Sequence, residues 1–239
     1  MTEIKKESDL CDLFMACFNK LDGWVCYPEA AGFDILAVHT DGRQIGIEAK
    51  LALNSKVADQ IIPEPYYDRY EKPGPDHRMV IVSKITDASK GIAKMLEALG
   101  VSVLCVSRDG TFPFYRHSEL TGGRPYYECF MFDWNPVERC QVPVMVTSLK
   151  AGIPAPVRLT PWKESALRVI ALLRKQGHIT GKQISAFGIG VTTWTQAAGS
   201  KRSWLAKGEV RGQWIETEYL PKFDEQHPEV YALAVKELG

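Results

Sequence analysis

The sequence predicts an α/β chain in which a mixed sheet flanked by helices is followed by a smaller, mainly helical module. Apolar residues crowd the stretches 31–38 and 43–50, and the turn residues 39–42 between them predict an antiparallel strand pair. Residues 79–106 then read as a buried strand, an amphipathic helix and a second buried strand, which is typical of a parallel crossover. A sheet with both kinds of pairing is therefore expected.

The remaining elements of this first part are placed by residue spacing. Residues 7–21 repeat apolar side chains every three or four positions, which predicts a leading helix, and a short strand follows at 24–27. A helix over 57–62 is stopped by Pro63. The helix over 87–99 is expected to turn four apolar side chains inward, namely Ile92, Met95, Leu96 and Leu99.

Composition is that of an ordinary globular protein and argues against several classes of function. The 239 residues are 45% hydrophobic and 24% charged, enough for two small domains with cores. No apolar run reaches the roughly 18 residues of a membrane span, so no membrane partner is expected. The polar start of the chain lacks the core of a signal peptide, which predicts a cytoplasmic location. The six cysteines include no Cys-x-x-Cys pair, which argues against zinc and iron–sulfur sites.

Three charged side chains interrupt the apolar strand pair: Asp34 in the first strand, and Glu48 and Lys50 in the second. Side chains two apart on a strand point to the same face, so Glu48 and Lys50 belong together. The tight turn folds the second strand back along the first, which brings Asp34 beside them. Burying unpaired ions costs several kcal/mol, so such charges are paired, bound to metal or functional.

Two interpretations of this cluster are open. A structural ion pair of Lys50 with Asp34 or Glu48 accounts for one carboxylate and leaves the other uncompensated. A cation between the two carboxylates accounts for both, and ligation by oxygen alone suits Mg²⁺. The metal site is the favoured prediction, with Mg²⁺ as the ion and Mn²⁺ as its substitute.

At these residues the chain resembles the PD-(D/E)XK phosphodiesterase superfamily, whose signature is an Asp on one strand and Asp/Glu-x-Lys on the next. The matching residues are Asp34 and Glu48-Ala49-Lys50, with Phe33 in place of the usual proline. More closely, the chain resembles an uncharacterised bacterial family of proposed phosphodiesterases that carries a C-terminal winged helix. The resemblance implies a restriction-endonuclease-like fold with Asp34 and Glu48 as metal ligands. It also implies that Lys50 positions or activates the attacking water.

The resemblance adds two further residues to the expected site. Glu7 projects from the buried edge of the leading helix, where the superfamily often has an acid that completes the metal site; a capping or helix-dipole role is the alternative. Gln60 is expected to face the site and to contact the substrate phosphate or orient the lysine; a surface glutamine is the alternative. Glu29, in the loop before Asp34, is expected to be solvated.

The C-terminal module follows a Gly- and Pro-rich linker at 151–156. Thr160-Pro161 predicts the cap and first turn of a helix. A short helix from Gly181, a glycine turn and a third helix from Val191 give the order of a helix-turn-helix, and two strands around residues 208–210 predict a wing. The predicted domains are residues 1–118 (nuclease-like), 119–157 (an extension with strands at 126–134 and 142–146, and the linker) and 158–239 (a winged helix-turn-helix with an acidic tail).

Charge is unevenly distributed although the whole chain is neutral, with 29 basic and 29 acidic residues. Residues 158–211 hold ten Lys and Arg against two acids, a net +8, so the remainder carries −8. This excess favours DNA binding, with protein contact as the alternative use of such a module. The expected DNA-contacting residues are Lys182, Thr192, Thr193, Gln196, Lys201, Arg202, Lys207 and Arg211.

The combined prediction is a Mg²⁺-dependent nuclease, an endodeoxyribonuclease that acts on duplex DNA. A DNA-binding regulator that keeps the nuclease-like domain only as a scaffold is one alternative, and a protein-interaction module that touches no DNA is the other. The oligomeric state is open; a homodimer is the arrangement by which many such nucleases cut both strands.

Overall fold

The protein divides into two compact units, Met1–Arg158 and Leu159–Gly239, called here the N-terminal and the C-terminal unit. The structure is a computed structural model that describes residues 4–63, 72–114, 120, 134, 136–148, 150–152, 159–196 and 202–239. Among the helices of these residues, none combines the length and the apolar character needed to cross a membrane.

A five-stranded mixed sheet forms the centre of the N-terminal unit. Its strands are β1 (Trp24–Pro28), β2 (Ile35–His39), β3 (Gln44–Ala52), β4 (His77–Lys84) and β5 (Ser102–Cys105). They lie side by side in chain order; the β1–β2 and β2–β3 pairs are antiparallel, and the β3–β4 and β4–β5 pairs are parallel. The expected mixed sheet flanked by helices is therefore confirmed.

Helices cover both faces of this sheet and complete two apolar cores. They are α1 (Glu7–Phe18), α2 (Ser55–Ile61), a single 3₁₀ turn (Asp87–Ser89) and α3 (Lys90–Ala98). Phe14 and Phe18 of α1 pack with Ile47 on one face. On the other face α2 and α3 contribute Val57, Ile61 and Leu96 to a core with Val80 and Val82 of β4. The sheet is buried on both sides, which accounts for the nearly continuous apolar runs in its parallel strands.

Two details of the sequence prediction are wrong in this unit. Met95 and Leu99 are 60% and 53% exposed, because the buried side of α3 runs along Ile92, Ala93 and Leu96 and the helix ends before Leu99. Residues 142–146 are irregular and not a strand. The other strand expected in the extension, at 126–134, lies outside the described residues except for Trp134.

The segment around Cys140 is attached beside the sheet by side chains and by single backbone bonds, such as that from the Gly74 N–H to the Glu138 carbonyl at 2.9 Å, and not by a continuous strand ladder. The buried side-chain amide of Gln44 donates to the carbonyl of Cys140 at 2.8 Å, and its oxygen accepts from the Cys140 N–H at 2.9 Å. Asp76 accepts the backbone N–H of Gln44 at 2.8 Å and pairs with the guanidinium of Arg139 at 2.9 Å. Two reciprocal bonds and an ion pair thus fix this segment beside the start of β3.

The C-terminal unit combines helices with a three-stranded antiparallel sheet. Its elements are α4 (Pro161–Gln176), β6 (Ile179–Thr180), α5 (Gly181–Ala186), α6 (Thr192–Thr195), β7 (Leu205–Lys207), β8 (Gln213–Glu216), α7 (Phe223–Gln226) and α8 (Pro228–Glu237). The strand order is β6-β8-β7, with both pairings antiparallel. The predicted cap of α4 is confirmed, since the Thr160 hydroxyl accepts the N–H of Lys163 at 3.2 Å.

Aromatic side chains form much of the small core of this unit. Trp194 is fully buried and lies edge-to-face against Trp204, with ring centroids 5.5 Å apart. Trp162 contacts both rings, and Phe223 packs against Trp162 and Trp204. Helix α6 and the start of the β7–β8 hairpin are therefore anchored to α4 through aromatic rings.

Candidate functional site

Asp34 and Glu48 lie at the point where β2 begins beside β3. The last register pair of these strands joins Ile35 to Ile47, and the same antiparallel register continued by one residue sets Asp34 opposite Glu48. Both carboxyl side chains are buried, with 4% and 3% of the residue exposed. Two acids on neighbouring strands thus occupy adjacent positions in the interior of the unit.

Asp34 is held against β3 by the main chain. Its Oδ2 accepts the backbone N–H of Ala49 at 2.9 Å, a bond buried from solvent. Ala49 lies between Glu48 and Lys50, so this bond fixes Asp34 relative to both charged residues of β3. Because a single alanine separates Glu48 from Lys50, its backbone N–H lies between the two charged residues and can donate to Asp34.

Lys50 pairs with Glu7 across the site. Its Nζ lies 3.2 Å from Glu7 Oε2, and the two side chains are 14% and 36% exposed. Glu7 stands seven and eleven residues before the buried Phe14 and Phe18, hence on the same side of α1. The alternative interpretation paired Lys50 with one of the sheet carboxylates, whereas the partner found here is the helix acid Glu7.

Glu7 lies in the first turn of α1, where the helix dipole favours an acid, but it does not cap the helix. Lys6 occupies the N-cap position of α1, and Asp9 closes the cap by accepting the backbone N–H groups of Lys5 and Lys6 at 3.1 and 3.0 Å. These bonds lower the pKa of Asp9. Glu7 is thus available to contact Lys50 while a neighbouring acid serves the helix end.

Glu29 is a buried acid and not the solvated residue that its loop position suggests. It is 1% exposed, and its backbone N–H donates to the carbonyl of Asp34 at 2.8 Å. Glu29 and Ala31 both adopt left-handed backbone, with φ of 51° and 53°, in the tight loop between β1 and β2. The sequence signal for its burial is the small apolar stretch Ala30-Ala31 that follows it, which is unusual for a solvated loop.

The pKa of Cys11 reflects the burial and the negative charge of this region. Burial, followed by the negative charges of Asp34 and Glu29, raises the pKa of its thiol. Cys11 is fully buried on α1, so both carboxylates lie near the side of the helix that faces the sheet. The thiol therefore remains protonated and serves as a small core residue.

Two further observations concern the expected site. Gln60 lies on the exposed side of α2, whose buried residues are Val57 and Ile61. Within the described part of the chain, no group of three or more His, Cys, Asp and Glu side chains is arranged to hold a metal ion. The arrangement brings together Asp34 with Glu48, and Glu7 with Lys50.

The residues expected to contact DNA are exposed on the C-terminal unit wherever they are described. Seven of them have exposed side chains: Lys182, Thr192, Thr193, Gln196, Arg202, Lys207 and Arg211. Lys201 lies outside the described residues. Arg202 stacks on Tyr219, with its guanidinium 4.9 Å from the ring centroid.

Other basic residues of this unit are paired with acids of β8 and of the C-terminal helices. Arg168 pairs with Glu237 at 2.9 Å, and Arg174 pairs with Glu216 and Asp224 at 2.9 and 2.8 Å. The whole unit carries eleven Lys and Arg against eight Asp and Glu, a net +3. The large excess in residues 158–211 is thus partly offset. Lys182 on α5 and Lys207 and Arg211 of the β7–β8 hairpin have no ion pair within the described part of the chain.

Comparison with protein-family models, with curated proteins and with solved structures gives no match to this chain. The superfamily resemblance therefore rests on the local pattern Asp34 and Glu48-Ala49-Lys50.

Proposed function

We propose that this protein is a Mg²⁺-dependent phosphodiesterase that cleaves DNA, with a restriction-endonuclease-like N-terminal unit and a winged-helix C-terminal unit. One observation carries the proposal: Asp34 and Glu48 are buried at adjacent positions of neighbouring strands, with Lys50 two residues further along β3. Two adjacent carboxylates repel each other in a low-dielectric interior, and a divalent cation between them removes that repulsion.

The donor set fits Mg²⁺. This ion prefers oxygen ligands and is commonly held by one or two carboxylates, with waters and substrate oxygens completing its shell. Asp34 and Glu48 would supply the carboxylates, and the backbone carbonyl of Ala49 a further oxygen. Mn²⁺ accepts the same donors. This arrangement needs no third protein carboxylate, in keeping with the two-acid set described above.

The residues of this chain would share the work of hydrolysis in the following way. A bound Mg²⁺ supplies Lewis acidity to a phosphodiester oxygen and to water. Asp34 and Glu48 fix its place from the sheet. The ammonium group of Lys50 orients the attacking water or offsets the charge that develops on the phosphate. Glu7, 3.2 Å from Lys50, holds that ammonium group in place; its role as a further metal ligand stays a prediction.

The C-terminal unit would bring DNA to this site. Its order of helix, short strand, two short helices and hairpin supports a winged helix, with α6 and the β7–β8 hairpin as the DNA-contacting elements. Exposed Lys207 and Arg211 near the hairpin turn suit phosphate contacts, and exposed Thr192, Thr193 and Gln196 suit contacts to phosphates or base edges.

The proposal is tested by incubating the purified protein with supercoiled plasmid in the presence of Mg²⁺ or Mn²⁺. We expect metal-dependent nicking that Asp34→Asn and Lys50→Met each reduce by about 100-fold or more. The control is Asp59→Asn, which removes an exposed acid of α2 in the same unit and should leave the rate unchanged. Equal nicking by wild type and Asp34→Asn would overturn the proposed site.

A non-catalytic DNA-binding regulator is the second candidate, and one observation favours it. Lys50 is already engaged by Glu7, a pairing that a structural scaffold would also keep. This candidate predicts DNA binding that is indifferent to Mg²⁺ and to Asp34→Asn, together with the absence of nicking. The same plasmid assay, combined with a binding titration, separates the two functions.

A further inference from the structure

We propose that Arg78 is a positioning residue for Asp34, acting through the ring of Phe33. The inference rests on the proposed function insofar as Asp34 is the group that needs a fixed position. Phe33 directly precedes Asp34 in the chain, so whatever immobilises its ring also limits the backbone that presents the carboxylate. Arg78 lies on β4 and contacts neither Glu48 nor Lys50 in register; it pairs with Gly46.

The ring of Phe33 lies directly on the backbone of β3. A Cβ atom added to Gly46 would come within 2.6 Å of the ring, closer than real Cβ contacts. Gly46 is therefore required by this close approach and not by its own conformation. The sheet beneath the ring consists of main chain, and the residue Phe33 is buried.

Arg78 covers the ring from the neighbouring strand. Its guanidinium lies 5.4 Å from the centroid of Phe33 and 5.5 Å from that of Trp134, within the range of cation–π contacts. Its Nη1 donates to the carbonyl of Ile61 at 2.6 Å, at the end of α2. Because the planar guanidinium stacks on the rings and donates at the same time, a lysine is not an equivalent replacement.

Together these contacts fix the residue before the acid on two sides. The ring of Phe33 is held between Gly46 below and Arg78 beside it, and Asp34 then reaches the N–H of Ala49 at 2.9 Å. Loss of either contact should loosen the loop between β1 and β2 and weaken this hydrogen bond first.

The amide of Ala49 gives a readout that does not depend on catalysis. Its hydrogen exchange, followed by NMR, reports whether the Asp34 carboxylate still accepts its N–H. We expect Arg78→Met and Phe33→Leu to speed exchange at Ala49 by about tenfold or more relative to the Ile81 amide of β4. Phe33→Tyr, which keeps the aromatic ring, should leave the Ala49 amide as protected from exchange as it is in the wild type. Arg78→Lys, a milder change, should shift exchange in the same direction.

The matched control is Arg139→Met, which removes an ion pair to Asp76 and loosens the segment near Trp134 without touching Phe33. It should leave the exchange of Ala49 unchanged. Unaltered protection of Ala49 in Arg78→Met, or an equal loss in Arg139→Met, would overturn the positioning role. The Mg²⁺ concentration for half-maximal nicking should rise in Arg78→Met and not in the control. A wild type that cleaves no DNA would overturn the proposed function alone, since the exchange measurement still decides the role of Arg78.

Discussion

Ala31 adopts a backbone conformation that its side chain disfavours. Its φ of 53° lies in the left-handed region, where a Cβ atom is crowded and glycine is not. Ala30, its neighbour, is buried and is not among the residues with positive φ. The two adjacent alanines therefore differ in conformation and provide an internal comparison.

We expect Ala31→Gly to stabilise the protein by about 0.5–1 kcal/mol because it relieves the left-handed strain. Ala30→Gly should instead destabilise it by about 1 kcal/mol, since it removes a buried methyl group and adds backbone freedom to the unfolded chain. Urea unfolding of the three proteins measures both changes. The same sign for both substitutions would contradict the assignment of strain to residue 31.

His227 is a buried histidine in the C-terminal unit that is suited only to its neutral form. It is 3% exposed, and neither ring nitrogen has a hydrogen-bond partner in the part of the chain that the structure describes. Burial, together with the positive charge of Lys163, lowers its pKa from 6.5 to about 4. Protonation therefore costs the folded state more than the unfolded chain.

The sign of this shift sets the pH dependence of stability. The contribution of His227 is fully present above about pH 6.5 and is lost as the pH falls from 6.5 to 4, by roughly 3 kcal/mol. We expect His227→Leu to lose this part of the acid sensitivity in urea unfolding between pH 8 and 4. His178→Leu, a change at another histidine of the same unit, should keep it. Parallel pH curves for wild type and His227→Leu would refute the prediction.

At the scale of elements, one glutamine makes the buried side-chain attachment between β3 and the extension after β5. Gln44 is 2% exposed and makes both of its amide bonds to the backbone of Cys140. Gln44→Ala leaves a buried N–H and a buried carbonyl without their partner, which should cost about 2–3 kcal/mol. Gln44→Glu keeps the acceptor but adds a buried charge next to Asp76, so it should cost at least as much. Thermal unfolding measures the stability of both variants. A loss of stability confined to Gln44→Ala would contradict the role given to the two hydrogen bonds between Gln44 and Cys140.

Sequence reasoning succeeded for elements whose residues follow a period and failed where single contacts decide. The sheet, α1 and the cap at Thr160 follow from spacing and from local turn chemistry. The expected strand at 142–146 has suitable residues but does not form. The neighbouring Cys140 is held by the side chain of Gln44, 96 residues away in sequence, and not by the hydrogen bonds of a strand ladder. The burial of Glu29 depends on a strained loop that no periodic pattern contains. The prediction that Asp34 lies beside Glu48 could be made from the sequence because the register of two strands joined by a tight turn is set by that turn and by the apolar pattern, and both are local.

At the scale of the whole molecule, charge separates the two units. The N-terminal unit has eighteen Lys and Arg against twenty-one Asp and Glu, a net −3, while the C-terminal unit carries +3. Within the latter, Arg168 pairs with Glu237, and Lys175 donates to the carbonyls of Leu238 and Gly239. These cations are occupied by the C-terminal helix, so they have little charge to offer a polyanion.

The ion pairs and hydrogen bonds within this unit therefore predict which of its cations govern binding to DNA. Each phosphate contact contributes about −0.9 to the slope of log K against log salt for a duplex. We expect the double change Lys207→Ala and Arg211→Ala to weaken binding of a duplex oligonucleotide and to reduce the magnitude of that slope by about 2. The double change Arg168→Ala and Lys175→Ala removes the same charge and should leave the slope nearly unchanged. Fluorescence anisotropy at several salt concentrations measures all three proteins. Equal slopes for the two double variants would contradict the prediction, since the position of the charges would then not matter. Binding that does not depend on salt would favour a protein-contact role for this unit.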